Sequence, residues 1–212
     1  MFSEPAYSCG LCPRLKSFRD ANIAAHPEWY NGPVAAFGDL NARLLIVGLA
    51  PGLKGANLTG RPFTGDYAGD LLYATLQNHG FAHGCYDKHK DDGLKLVDCR
   101  VTNAVRCVPP QNKPVGAETA TCNSFLKAEI AAMTNLQAIL TLGTLSHGAV
   151  LSAIGLKKSA FKFGHEASHT MENGLVVFNS YHCSRYNTNT GRLSEQMFSD
   201  VFAQIRVFLD RR

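Results

Sequence analysis

Cys9 and Cys12 stand as a C-x-x-C pair near the start of the chain, and Cys107 and Cys122 form a second, wider pair around PPQNKP. Four thiolates in two groups suit either a structural zinc or a 4Fe–4S cluster. A redox C-x-x-C and unrelated buried thiols are the competing readings. A redox motif opens a helix that follows a strand, and no strand precedes Cys9. Cys85, Cys99 and Cys183 are left over, as small buried or loop residues. Other reactive side chains fall in three loops rich in Gly, Pro, Asn and Thr: APGLKGANLTGRPFTGD (50–66), CVPPQNKPVGAE (107–118) and HCSRYNTNTGR (182–192). Loops this long in a compact domain are usually functional. Asp66 has a carboxylate able to activate water, and equally reads as the N-cap of a helix starting at Tyr67. Phe63 offers a ring face to a flat ligand, or is an ordinary core residue. His182 is a hydrogen-bond donor or a structural histidine at a strand end. The seven other histidines read as structural.

These loops need a frame. The runs RLLIVGLA (43–50), AILTLG (138–143) and GLVVFNSYH (174–182) read as buried strands, with VTNAVRC (101–107) as a fourth. Helical patterns cover 67–80, 116–133, 144–155 and 194–209. Strands alternating with helices predict one α/β domain over 1–212, a three-layer α/β/α sandwich around a mostly parallel sheet. In such sheets ligands bind beyond the carboxyl ends of the strands, where the three loops fall. A chain of 212 residues can bury enough surface for a core without disulfides. A net charge of +4 permits an anionic partner without requiring one. The start MFSEPAYSCG lacks a basic opening and an apolar run, and no stretch approaches the roughly 18 apolar residues of a membrane span. A soluble intracellular (cytoplasmic) protein with no membrane partner is expected. Seven cysteines in a reducing compartment then favour metal or cluster ligation over disulfides.

Four segments carry a resemblance. GLAPGLKGANLTGRPFTGD resembles the first motif of the iron–sulfur uracil-DNA glycosylases in the form of the B-type group (family five). SYHCSRYNTNTGRL resembles that group's second motif, AVRCVPPQNKP its central segment, and CGLCPRL its N-terminal cysteine pair. The matches run in the family's order from residue 9 to residue 193. The resemblance implies a uracil-DNA glycosylase fold and a monomeric, monofunctional enzyme with no lyase step. Such an enzyme flips uracil out of single- or double-stranded DNA and hydrolyses its glycosidic bond in base excision repair. It further implies a structural 4Fe–4S cluster on Cys9, Cys12, Cys107 and Cys122. Phe63 would line the uracil pocket, Asp66 would orient or activate the attacking water with help from Asn112, and His182 would donate to uracil O2 as charge accumulates there. Gly48, Leu49, Ala50, Pro51 and Gly52 would approach the ligand through their backbone, and Ser184, Arg185, Asn187 and Arg192 would contact phosphates or wedge into the gap.

Leu49 occupies the position where A-type relatives carry a glutamate, and the resemblance to the B-type group gives that role to Asp66 instead. Two departures from the B-type pattern matter. Cys183 replaces the proline usual after the motif histidine. Asn103 stands where several B-type members have a small apolar residue and A-type enzymes have an Asn that reads the uracil edge. Asn103 is therefore expected to make the enzyme more selective for uracil. The rival classes are a catalytically inactive iron–sulfur DNA-binding protein, a zinc-stabilised nucleotide-binding module, and the covalently trapping branch of the superfamily. APGLKGAN lacks the P-loop pattern, and no basic insertion precedes His182.

Overall fold

The computed structural model describes residues 2–211, so Met1 and Arg212 of the expected 1–212 domain lie outside the described residues. The apolar runs become four parallel strands: β1 (Leu44–Gly48), β4 (Cys99–Asn103), β5 (Ala138–Leu142) and β7 (Val176–Ser180). Every residue in them is buried, as expected of a sheet covered on both faces. Their order across the sheet is β4-β1-β5-β7, with β6 (Ser168–Thr170) added antiparallel at the edge beside β7. A separate hairpin pairs β2 (Ala82–His83) with β3 (Lys95–Leu96).

Seven helices are present among the described residues: α1 (Pro13–Ala25), α2 (Ala56–Thr59), α3 (Tyr67–Asn78), α4 (Gly116–Ala132), α5 (Thr144–Ala153), α6 (Arg185–Asn189) and α7 (Glu195–Asp210). Strand side chains alternate between faces. Leu44, Ile46, Leu140 and Phe178 join α3 and α7 in one core, while Leu45, Val47, Ile139 and Val177 join α4 and α5 in the other. The three-layer α/β/α arrangement follows directly. Predicted and observed elements differ at their ends by a few residues, as fraying ends do. The largest difference is at the fourth strand, which ends at Asn103 rather than at 107, because Ala104 and Val105 turn to donate to the carbonyls of Gly48 (3.0 Å) and Leu49 (2.9 Å). Helix α1 escapes the periodicity argument because its buried residues are Leu15, Arg19 and Asn22, two of them polar. The short strand β6 reads Ser-His-Thr and presents no apolar pattern.

Parallel register sets where the functional loops start. Gly48 lies opposite Asn103, Val47 opposite Thr141, and Leu142 opposite Ser180, so the four strands finish in one row. No helix among the described residues is long and apolar enough to cross a membrane.

Candidate active site

Beyond that row opens a cleft of about 810 Å³. Its walls are residues 49–56 after β1, Phe63, residues 65–68 at the start of α3, Asn103 at the end of β4, Asn112, and His182, Ser184 and Arg185 after β7. Each motif loop contributes a wall.

Gly48 explains how two of these residues meet. A Cβ there would come within 2.4 Å of Asn103 Oδ1 and 2.5 Å of Phe63 Cζ, so only glycine admits both side chains at the strand end. Phe63 takes a φ of +51°, a left-handed conformation that costs a bulky residue about 1–3 kcal/mol. Its ring stacks on that of His182, with centroids 5.9 Å apart and planes at 26°. Asn103 is buried, and its Oδ1 has no hydrogen-bond partner. An unpaired buried acceptor is costly in an empty fold and useful when a ligand brings an N–H to it.

Asp66 has two jobs at once. It is the N-cap of α3, accepting from the Gly69 N–H at 3.1 Å. Its other oxygen, Oδ2, faces the first motif, where Cβ atoms at Gly52 and Gly55 would come within 3.0 and 2.5 Å of it. Burial pushes the carboxyl above its ordinary pKa, opposed by the N–H groups of Gly69 and Ala68, which makes the carboxylate a stronger base. Asn112 reaches the same cleft from a 3-10 turn, Pro110–Asn112, in which Gln111 and Asn112 both have positive φ.

His182 is depressed to a pKa of about 4 by burial alone, so its ring is neutral at physiological pH and can present one N–H. Its carbonyl accepts from Asn187 Nδ2 at 2.8 Å, and Ser184 caps α6 by accepting from the Asn187 N–H at 3.4 Å. The four residues expected to face DNA therefore separate. Ser184 and Arg185 line the cleft, Arg185 lying over the Tyr67 ring at 5.4 Å. Asn187 anchors the backbone of His182, and Arg192 packs over Tyr181 at 4.5 Å, outside the cleft wall. Cys183 is buried and its thiol donates to the Ala68 carbonyl at 3.5 Å, fastening the second motif to the first turn of α3 where proline could not.

Sequence reasoning missed Lys54, an exposed cation on the cleft wall, although it sits inside the first motif. It also missed Tyr186, whose side chain is 73% exposed on α6, four residues after His182. An aromatic residue in a polar loop was the available signal.

The four predicted cysteines come together elsewhere. Cys9 and Cys12 precede α1, Cys107 follows β4 and Cys122 lies on α4, yet all four line one small cavity with Leu15, Val105 and Phe125. All four are free thiols. Arg19 places Nη1 3.7 Å from Cys107 Sγ and Nη2 2.8 Å from the Cys9 carbonyl, and the Arg106 N–H points at Cys122 Sγ from 3.4 Å. Burial lifts the thiols of Cys12 and Cys122 and pushes Cys107 up to about 11, with Arg19 opposing the last. The N-terminal segment is held by Arg14 on Glu118 (2.7 Å) and by Glu4, which accepts from the Ala36 N–H (3.0 Å) and pairs with Arg100 (3.2 Å). Among the described residues, no group of three or more His, Cys, Asp or Glu side chains is arranged to hold a metal ion.

Comparison with known proteins agrees with the earlier resemblance. A family model described as the uracil DNA glycosylase superfamily matches residues 35–206. The type-5 uracil-DNA glycosylase of Thermus thermophilus is 39% identical over 211 residues, covering 97% of this chain and 95% of that protein. The type-5 enzyme of Pyrobaculum aerophilum is 38% identical over 204 residues, covering 94% and 88%. The type-4 uracil-DNA glycosylase of Thermotoga maritima is 35% identical over 111 residues, covering 52% and 50%.

Proposed function

The chain belongs to the uracil-DNA glycosylase superfamily, and from that membership we propose that its cleft takes a uracil nucleotide rotated out of DNA and hydrolyses the bond between base and sugar. Rotation costs roughly a few kcal/mol of unstacking and unpairing, which the pocket must return. The Phe63 ring supplies a stacking face. The unpaired Asn103 Oδ1 accepts from the uracil N3–H, and its NH2 meets O4. As the N1–C1′ bond breaks, positive charge grows on the sugar and negative charge on the base. Neutral His182 donates to O2 and stabilises the departing anion. Water bonds through oxygen to C1′ and gives a proton to Asp66, while the bonding pair leaves with uracil. Asn112 faces the same cleft and helps to hold the water. Lys54 and Arg185 sit on the rim, where they would meet phosphates, and the exposed Tyr186 would fill the gap left by the rotated base.

One observation carries this reading: a buried amide oxygen without a partner, an aromatic ring and a neutral histidine converge on one cleft that also holds a half-buried carboxylate. Incubation with oligonucleotides carrying uracil, hypoxanthine or no lesion, followed by alkaline cleavage at abasic sites, tests it. Strand breaks at uracil are expected. DNA binding without cleavage would identify a catalytically inactive relative instead.

Asn103 bears on substrate range. A carboxamide pairs with the uracil edge, whereas cytosine presents the opposite donor pattern, and a small apolar residue would discriminate less. Asn103→Ala is expected to lower uracil release by about 10- to 100-fold, the effect of losing buried hydrogen bonds, and hypoxanthine release by less. An unchanged uracil-to-hypoxanthine ratio would leave Asn103 a purely structural residue.

We propose that the cavity lined by Cys9, Cys12, Cys107 and Cys122 takes a 4Fe–4S cluster on those four cysteines. A 4Fe–4S cluster takes one thiolate per iron, and four cysteines line this cavity. Arg19 and the Arg106 N–H provide the positive field that thiolate ligands require. The group's role would be structural, tying α1 to the segment after β4 and to α4. Purified protein is expected to be yellow-brown, with about four irons per chain, and to lose colour and stability together in Cys12→Ser. One zinc and no iron would refute the cluster.

A further inference from the structure

The strained Phe63 needs an explanation that the catalytic residues do not supply. Its neighbours are fixed by a buried assembly behind the cleft. Arg61 Nε donates to Thr64 Oγ1 at 2.8 Å, and Thr64 Oγ1 donates to the Pro62 carbonyl at 3.1 Å. Tyr73 Oη donates to the same carbonyl at 2.5 Å, and Tyr86 Oη donates to the Phe63 carbonyl at 3.4 Å. The Arg61 guanidinium is enclosed by the rings of Phe37, Tyr73 and Tyr86 at 5.0, 5.5 and 5.7 Å. Its two terminal nitrogens meet Asp92 Oδ1 and Oδ2 at 2.8 and 2.7 Å, with side-chain exposures of 4% and 0%. Asp92 in turn accepts from the N–H groups of Asp87 and Leu94 at 2.8 and 3.1 Å, so the pair gathers the 87–94 segment under the first motif.

We infer that Arg61 and Asp92 are positioning residues: their forked, buried pair holds the 62–64 turn so that the Phe63 ring lies in the plane that stacks on the base. Two features argue for geometry over stability. A buried ion pair is a weak stabiliser beside apolar side chains of similar volume. The guanidinium also serves two directions at once, with its ends on Asp92 and its Nε on Thr64, a fork that lysine cannot reproduce. The segment 87–94 thus shapes the pocket without touching substrate, and the inference rests on the reading that Phe63 stacks on uracil.

A double-mutant cycle on the full chain tests it. Arg61→Lys keeps the charge opposite Asp92 and the aromatic enclosure but loses the Nε contact. With Phe63 present, Arg61→Lys is expected to lower the single-turnover rate of uracil release about ten-fold with unchanged DNA affinity, as a misplaced binding group does. In a Phe63→Ala background the same change is expected to lower the rate less than about two-fold, because residues acting through one contact are not additive. Equal losses in both backgrounds, or no loss with Phe63 present, would overturn the inference. An unchanged rate for Phe63→Ala alone would instead overturn the stacking reading on which it rests. If Arg61→Lys fails to fold, Thr64→Val breaks the same link while leaving the ion pair whole, and carries the same cycle with the same two outcomes.

Discussion

Asp66→Asn is expected to lower single-turnover uracil release by about 10²- to 10⁴-fold, the contribution of a positioned general base, while DNA binding changes little. Asparagine is the informative replacement because it is as good an N-cap as aspartate, so α3 keeps its start and the fold is not put at risk. Burial holds the Asp66 pKa above its ordinary value. The wild-type rate should therefore fall as pH drops through that raised pKa, since protonation removes the base, and the Asn variant should lack this acid limb. Thermal melting separates the two roles of the residue. A variant that melts early yet cleaves at the wild-type rate once folded would reduce Asp66 to a helix cap.

His182→Ala should lower the same rate by about 10²- to 10³-fold, the loss seen when one preorganised donor to a developing anion is removed. His182→Gln should retain part of the activity, because its amide can still donate. The pKa of about 4 puts the ring in its neutral form through the working range, so no limb near pH 6.5 belongs to it. An activity limb near 6.5 that vanishes in His182→Gln would show that the charged ring is the donor. Stability carries the complementary sign. Below pH 6.5 the unfolded chain binds a proton at this position that the folded chain refuses until about pH 4, so stability falls across that window. His182→Gln should flatten the fall, read as the pH dependence of the urea midpoint.

Much of this was legible from local patterns. Short β-branched runs bounded by glycine mark buried strands whatever their neighbours, which is why the stretches near 44, 138 and 176 became β1, β5 and β7. Asp66 before Tyr67 reads as a cap from composition alone, and it is one. The two motif loops could be placed at the carboxyl ends of strands, because alternation of strands with helices leaves few other topologies.

Tertiary structure decided what no local pattern encodes. Asn103 and Gly48 are 55 positions apart, and only the parallel register of β1 and β4 sets the amide oxygen over the glycine and leaves it without a partner. Asn187 looked like a residue for DNA, yet its amide is bound to the His182 carbonyl, since a side chain's partner depends on the fold of its loop and not on its polarity. Arg61 and Asp92 are 31 positions apart, and only folding pairs them and encloses the Arg61 guanidinium in three aromatic rings. The cysteine pairs show the same division: their types allowed a shared site among other readings, but it took the docking of α1, with Arg14 on Glu118 and Glu4 on Arg100, to bring residues 9 and 122 to one cavity. Sequence specifies the groups and the local elements because propensity and periodicity act within a few residues. Distances between groups depend on strand register and helix docking, which are long-range outcomes of packing, and chemistry depends on those distances.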